Sequence, residues 1–141
     1  MDRWLLRLSG VYAAGGFGGL ANALSVWILG IIGLTAALGV QVAPALTTAF
    51  LYPKLVWGGL WGVMFLLPFW RERQVLGGVI FSLAPSAVQL LVIFPYKVNQ
   101  GFFGLKLGAL TFAFVLVFNA VWGVAAGWCL SRIESGEAER L

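Results

Sequence analysis

The stretch 107–130, LGALTFAFVLVFNAVWGVAAGWCL, runs for 24 residues without a charged side chain. A helix needs about 20 predominantly apolar residues to cross a hydrocarbon core roughly 30 Å thick, so this stretch reads as a transmembrane span. Three more runs meet the same requirement, at residues 50–70, 75–96 and 11–38. The first of the chain, 11–38, is long enough to tilt or to end in an interfacial turn. Pro53 and Pro68 fall in the first and last turns of the second, where proline is best tolerated. The fold class predicted is all-α: a single polytopic domain, 1–141, of four transmembrane helices.

Composition agrees with that reading. Of 141 residues, 61% are hydrophobic and only 10% charged, against near half and about a quarter in soluble domains. There is no histidine and one cysteine, so zinc sites, Cys/His nucleophile pairs and disulfide frameworks lack their residues. Cys129 reads as a small apolar filler. The run Gly15-Gly16-Phe17-Gly18-Gly19 lies inside an apolar span rather than after a strand, so it fails the context that a phosphate-cradling loop requires. No catalytic residue, cofactor site, metal site or nucleic-acid-binding feature emerges, and the expectation is a protein that is not an enzyme. The amino-terminal stub MDRWLLRLSG reads as the start of an uncleaved first span, since a signal-peptide apolar region is shorter than the run that follows. The tail SRIESGEAERL reads as partly disordered.

The few charges carry the orientation. All six arginines (Arg3, Arg7, Arg71, Arg73, Arg132, Arg140) and all five acids fall on one side of a four-span count, and all three lysines (Lys54, Lys97, Lys106) on the other. Loops rich in Lys and Arg that also flank the termini stay in the cytoplasm, which predicts both termini inside. Trp4, Trp70 and Trp128 then mark the inner interface, and Tyr52, Tyr96, Phe102 and Phe103 the outer one. The lysine side has no opposing carboxylate. It forms a basic rim with Asn99 and Gln100, suited to a lipid headgroup, anionic lipid included, to an anionic solute or to an acidic partner; the alternative is three snorkelling lysines at helix ends.

The chain also resembles itself. Residues Ala45 to Phe50 match Ala109 to Phe114 at five of six positions, and Leu55 to Val63 match Leu116 to Val124 at five of nine. The pattern predicts a duplicated helical hairpin, with 15–63 repeated as 77–124, both copies having the same orientation. Small residues four apart let helices approach closely in lipid. Gly15 and Gly19, Gly58 and Gly62, Gly78, and Gly123 and Gly127 are the predicted packing positions, available to the bundle itself, to a second copy in a homo-oligomer or to a larger membrane complex.

Near mid-membrane the polar residues are neutral: Asn22 and Ser25, then Ser82, Ser86 and Gln89, then Asn119. Such groups are costly in hydrocarbon unless paired. They read either as hydrogen-bonding glue between helices or as the lining of a small polar cavity. Pro85, inside the third span, is expected to kink it. Two functions follow: a non-catalytic packing or accessory module, which the absence of buried charge favours, or a small channel or carrier for a neutral or anionic solute.

The stretches FSLAPSAVQLLVIFP (81–95), GLKLGALTFAFVLVFNAVWGV (104–124) and LYPKLVWGGLWGVMFLLP (51–68) together resemble small four-helix integral membrane proteins of bacteria. That resemblance implies the bacterial cytoplasmic (inner) membrane and brings no activity or functional residue with it. The fluoride-channel family is similar in size, span count and a Gly-rich first span, but its Arg-Tyr after the glycines is replaced here by Asn22-Ala23-Leu24. The topology is checked by Gln100→Cys in a Cys129→Ser background: a membrane-impermeant maleimide added outside intact cells should label it, and protection would invert the orientation.

Overall fold

The computed structural model describes residues 2–140. All of its regular structure among these residues is helical. Four helices are long and apolar enough to cross a membrane: Arg3–Ile31, Thr48–Leu66, Gln74–Lys97 and Thr111–Glu139. These are the first to fourth spans below.

The first span begins and ends earlier than the 11–38 expected. Trp4, Leu5 and Leu6 extend its apolar run through the stub, and Gly33, at φ +81°, stops the helix, a backbone conformation that glycine alone adopts without strain. A single turn, Leu34–Ala37, follows, and Gly39 turns the chain back over the lysine end of the bundle. Two bonds hold this return: the Thr35 hydroxyl donates to the Val42 carbonyl at 2.8 Å and the Gln41 amide to the Leu107 carbonyl at 2.8 Å. The second span starts at Thr48 with Thr47 capping the Phe50 amide, and tightens to a 3-10 turn over Val63–Leu66.

Proline shapes the third span. Pro85 has no N–H for the Phe81 carbonyl, and the helix Gln74–Phe81 breaks at Ser82 before resuming as Leu83–Val88. It then widens into a π-helical segment, Gln89–Lys97, that accommodates Pro95. After a short 3-10 segment, Phe102–Leu107, the fourth span begins at Thr111 and continues to Glu139. The tail is therefore helical where partial disorder was expected. The reason lies 127 residues away: Arg7 Nη1 meets Glu134 Oε1 at 2.6 Å, and Gln74 Nε2 donates to Glu134 Oε2 at 2.5 Å. Arg7 also donates to the Phe65 carbonyl at 3.2 Å. One small cluster thus gathers the arginine ends of all four spans.

The first span packs along both the second and the fourth, and the third packs on the fourth. Beyond a juncture of Val63–Leu66 with Gln74–Phe81, the second and third spans make no extended contact. All seven of the predicted packing glycines are buried, and they sit at the crossings. A β-carbon on Gly58 would stand 2.6 Å from the Gly15 carbonyl oxygen and 2.8 Å from the Gly19 α-carbon. One on Gly123 would come within 2.9 Å of the Val79 nitrogen and strike the Gly78 carbonyl. Gly127 lies in the same way against the Gln74 and Val75 backbone. With no hydrophobic drive between helices in lipid, such backbone contact supplies the cohesion.

Apolar clusters fill the rest. Val11, Ala14, Phe65, Phe81, Trp122, Ala126 and Leu130 pack at the arginine end. Val26, Val40, Phe114 and Phe118, and beside them Leu90, Phe94 and Val115, pack at the lysine end. Gly58→Val and Gly123→Val should each lower stability in detergent by about 1–3 kcal/mol through overpacking. Gly136→Ala, where the added carbon meets nothing within 4 Å, should be neutral or stabilising by up to about 1 kcal/mol. Chemical unfolding of the purified protein measures all three.

Candidate functional site

Between the two ends, four spans converge on one polar network. Asn22 from the first span donates through Nδ2 to the Phe118 carbonyl at 2.8 Å and to Asn119 Oδ1 at 3.3 Å. Asn119 from the fourth donates to Ser86 Oγ at 3.0 Å and, more weakly, to Gln89 Oε1 at 3.4 Å, both on the third. Ser86 in turn donates to the Ser82 carbonyl at 2.8 Å, occupying an oxygen one turn before it beside the Pro85 break. Asn22, Ser86 and Asn119 are buried.

The second span contributes the residue that sequence reasoning placed elsewhere. Lys54 lies six residues into its helix, so its α-carbon is roughly 9 Å in along the axis. A snorkelling side chain would turn back to the interface. Instead Lys54 Nζ donates to Asn22 Oδ1 at 2.9 Å, with Phe50, one turn outward, at 5.6 Å from ring centroid to ammonium. The local cause is Gly19: a β-carbon there would strike the Lys54 carbonyl, so its absence lets the second span press onto the first one turn before Asn22. Among the described residues the only ion pair is Arg7 with Glu134. Lys54 Nζ is met by an amide oxygen and an aromatic face, with no carboxylate within ion-pair distance.

The network walls two cavities. The larger, about 560 Å³, is a cleft between the second and third spans, floored by the first and fourth. Phe50, Pro53, Trp57 and Trp61 form one wall; Pro85, Val88, Gln89 and Ile93 form the other, and Lys97 joins Lys54 at its lysine end. The smaller, about 490 Å³, lies under the returning segment and is lined by Gln41, Val42 and Thr111. Asn22, Phe50, Lys54 and Gln89 line both. Both volumes fall within the roughly 300–1,000 Å³ of small-molecule sites.

Of the six polar residues expected to line a cavity, Asn22, Ser86, Gln89 and Asn119 are brought together. Ser25 and Ser82 stand apart. Each closes on its own helix, Ser25 Oγ donating to the Asn22 carbonyl at 2.7 Å and Ser82 Oγ to the Val79 carbonyl at 2.5 Å. The hydroxyl finds a nearer acceptor in the preceding turn than on a neighbouring helix. The lysine rim divides too: Lys54 and Lys97 line the cleft, while Lys106 is exposed and lines neither cavity. Trp122, read only as part of a span, donates from Nε1 to the Gly15 carbonyl at 3.1 Å and the Gly58 carbonyl at 3.3 Å. Its ring forms part of the cleft floor.

Geometrically, the site offers hydrogen-bond donors and one inward cation at its lysine end, and aromatic surface deeper in. Asn22→Leu removes the Lys54 acceptor and two interhelical bonds together, and should cost about 1–2 kcal/mol in detergent unfolding. Against protein-family profiles, curated proteins and solved structures, the chain returns no match.

Proposed function

We propose that this chain is a non-catalytic, multi-pass protein of the bacterial inner membrane, with both termini cytoplasmic, that binds and carries a neutral or anionic solute at the Asn22–Lys54–Asn119 network. The observation that carries this reading is the Lys54 ammonium inside a cleft lined by no carboxylate. A cation held in a low-dielectric surround without a counter-ion favours an incoming anion. Amide and hydroxyl groups of Asn22, Ser86, Gln89 and Asn119 supply neutral donors and acceptors to orient it. In membrane proteins such inward polar groups mark solute pathways.

The topology rests on the separation of arginine from lysine. The duplication gains support from where the hairpins cross: Gly15 meets Gly62 in the first, and Gly78 meets Gly123 in the second, at positions that the self-comparison brings into near register. The named glycines are taken up by crossings inside the bundle, which supports a solute site over a module that docks through those stripes.

Cysteine accessibility tests the site. In a Cys129→Ser background, Gln89→Cys should react with small water-soluble methanethiosulfonates, and the anionic reagent should outpace the cationic one by about tenfold or more. Adding Lys54→Gln should erase that preference. A protected cysteine would mean that the network is structural glue and would overturn the reading.

A further inference from the structure

We infer that the solute of this cleft is an anionic lipid, held with its headgroup between Lys54 and Lys97 and one acyl chain running past Trp57 to Trp61. The inference rests on the solute-site reading above and names its ligand class. Three features of the cleft point to an amphiphile rather than a small ion.

Polarity is graded along its length. Lys97 and Lys54 stand toward the lysine end, the amides of Asn22, Gln89 and Asn119 follow at mid-bundle, and Trp61, Pro85 and Trp122 line it beyond them. A lipid of the leaflet on the lysine side has the same gradient in the same direction, with charge at the interface and hydrocarbon toward the centre. A small hydrated anion would find nothing in the aromatic half of a cavity of about 560 Å³.

Access is lateral. The second and third spans make no extended contact along the cleft, so the space between them faces the surrounding hydrocarbon rather than being sealed by a helix. A lipid enters by moving sideways in its own leaflet, keeping its chain in an apolar medium throughout. A soluble ion would gain nothing from such an opening.

The headgroup has room and partners. Beside Lys54 and Asn22 lies the second cavity, about 490 Å³, lined by Gln41, Gln89 and Thr111. Thr111 is 1% exposed, and its hydroxyl makes no hydrogen bond to the protein, which leaves a buried donor for the polar part of a headgroup. Charge complementarity is one-sided, since neither cavity is lined by an acid.

The full chain, reconstituted in bilayers of phosphatidylcholine with a minor share of phosphatidylglycerol and then extracted in mild detergent, reports its retained lipid by native mass spectrometry. Phosphatidylglycerol should be enriched over its share of the bilayer. Lys54→Gln and Lys97→Gln should each cut that enrichment roughly fivefold, the scale of one basic side chain facing an anionic headgroup. Lys54→Arg should keep it, and Lys106→Gln should leave it unchanged. Equal loss in Lys106→Gln would mean a diffuse basic rim and would overturn the cleft assignment. If inorganic phosphate displaces the retained lipid, the ligand is a free anion: the lipid inference fails and the solute site stands. If no lipid is enriched and the Gln89→Cys thiol is also protected, the site reading itself fails.

Discussion

The fold depends on polar groups set deep within its apolar spans, where they must find hydrogen-bond partners on one another. The amide of Asn22 is the clearest case. It accepts from Lys54 on the second span and donates to the Phe118 carbonyl and Asn119 side chain on the fourth. An unpaired amide in hydrocarbon is penalised by several kcal/mol, so those partners fix the relative depth and rotation of three helices at once. Asn119 extends the constraint to the third through Ser86 and Gln89. Apolar packing alone tolerates sliding and rotation of one helix on another. The network removes that freedom.

Glycine makes the network reachable. Without backbone contact at Gly15, Gly19, Gly58 and Gly62, the first two helices would stand farther apart and Lys54 would have no reason to turn inward. The same holds at Gly78 and Gly123, where the third and fourth spans meet. Small residues and polar residues are therefore not two separate features of the sequence. The close approach supplied by one permits the hydrogen bonds formed by the other.

Much of this is legible in the chain. Apolar run length places four spans because a bilayer imposes that length on any helix crossing it, and the mid-membrane asparagines stand out because so little else there is polar. The glycines in four-residue spacing announce the crossings, though not which stripe meets which. Lys54 is harder, because a lysine two turns into a span carries the same local pattern whether it snorkels out or reaches in. Only Gly19 and Asn22, more than thirty residues away, decide it. The Arg7–Glu134–Gln74 cluster is likewise invisible, since its members read individually as ordinary interfacial polar residues. The first span stops at Ile31, with only the turn Leu34–Ala37 beyond it, because Gly33 carries a positive φ that apolar composition does not reveal. Ser25 and Ser82 mislead for the opposite reason: a hydroxyl can be satisfied within its own turn and need not point at anything else.

The packing order, second on first, first on fourth, fourth on third, has a consequence for biogenesis. Each hairpin closes on its own glycine crossing, using contacts between neighbouring spans that need little chain closure. The first hairpin can form its own glycine crossing before the second is made, while its remaining contacts wait for the fourth span. What joins the halves is the fourth span, whose Trp122 indole bridges the carbonyls of Gly15 and Gly58 across the finished first crossing. The cleft has no existence in either half alone, because its floor comes from both and its walls from one each. The cleft therefore forms only where the two halves join, and the first hairpin by itself supplies a lysine and one wall with nothing to close against.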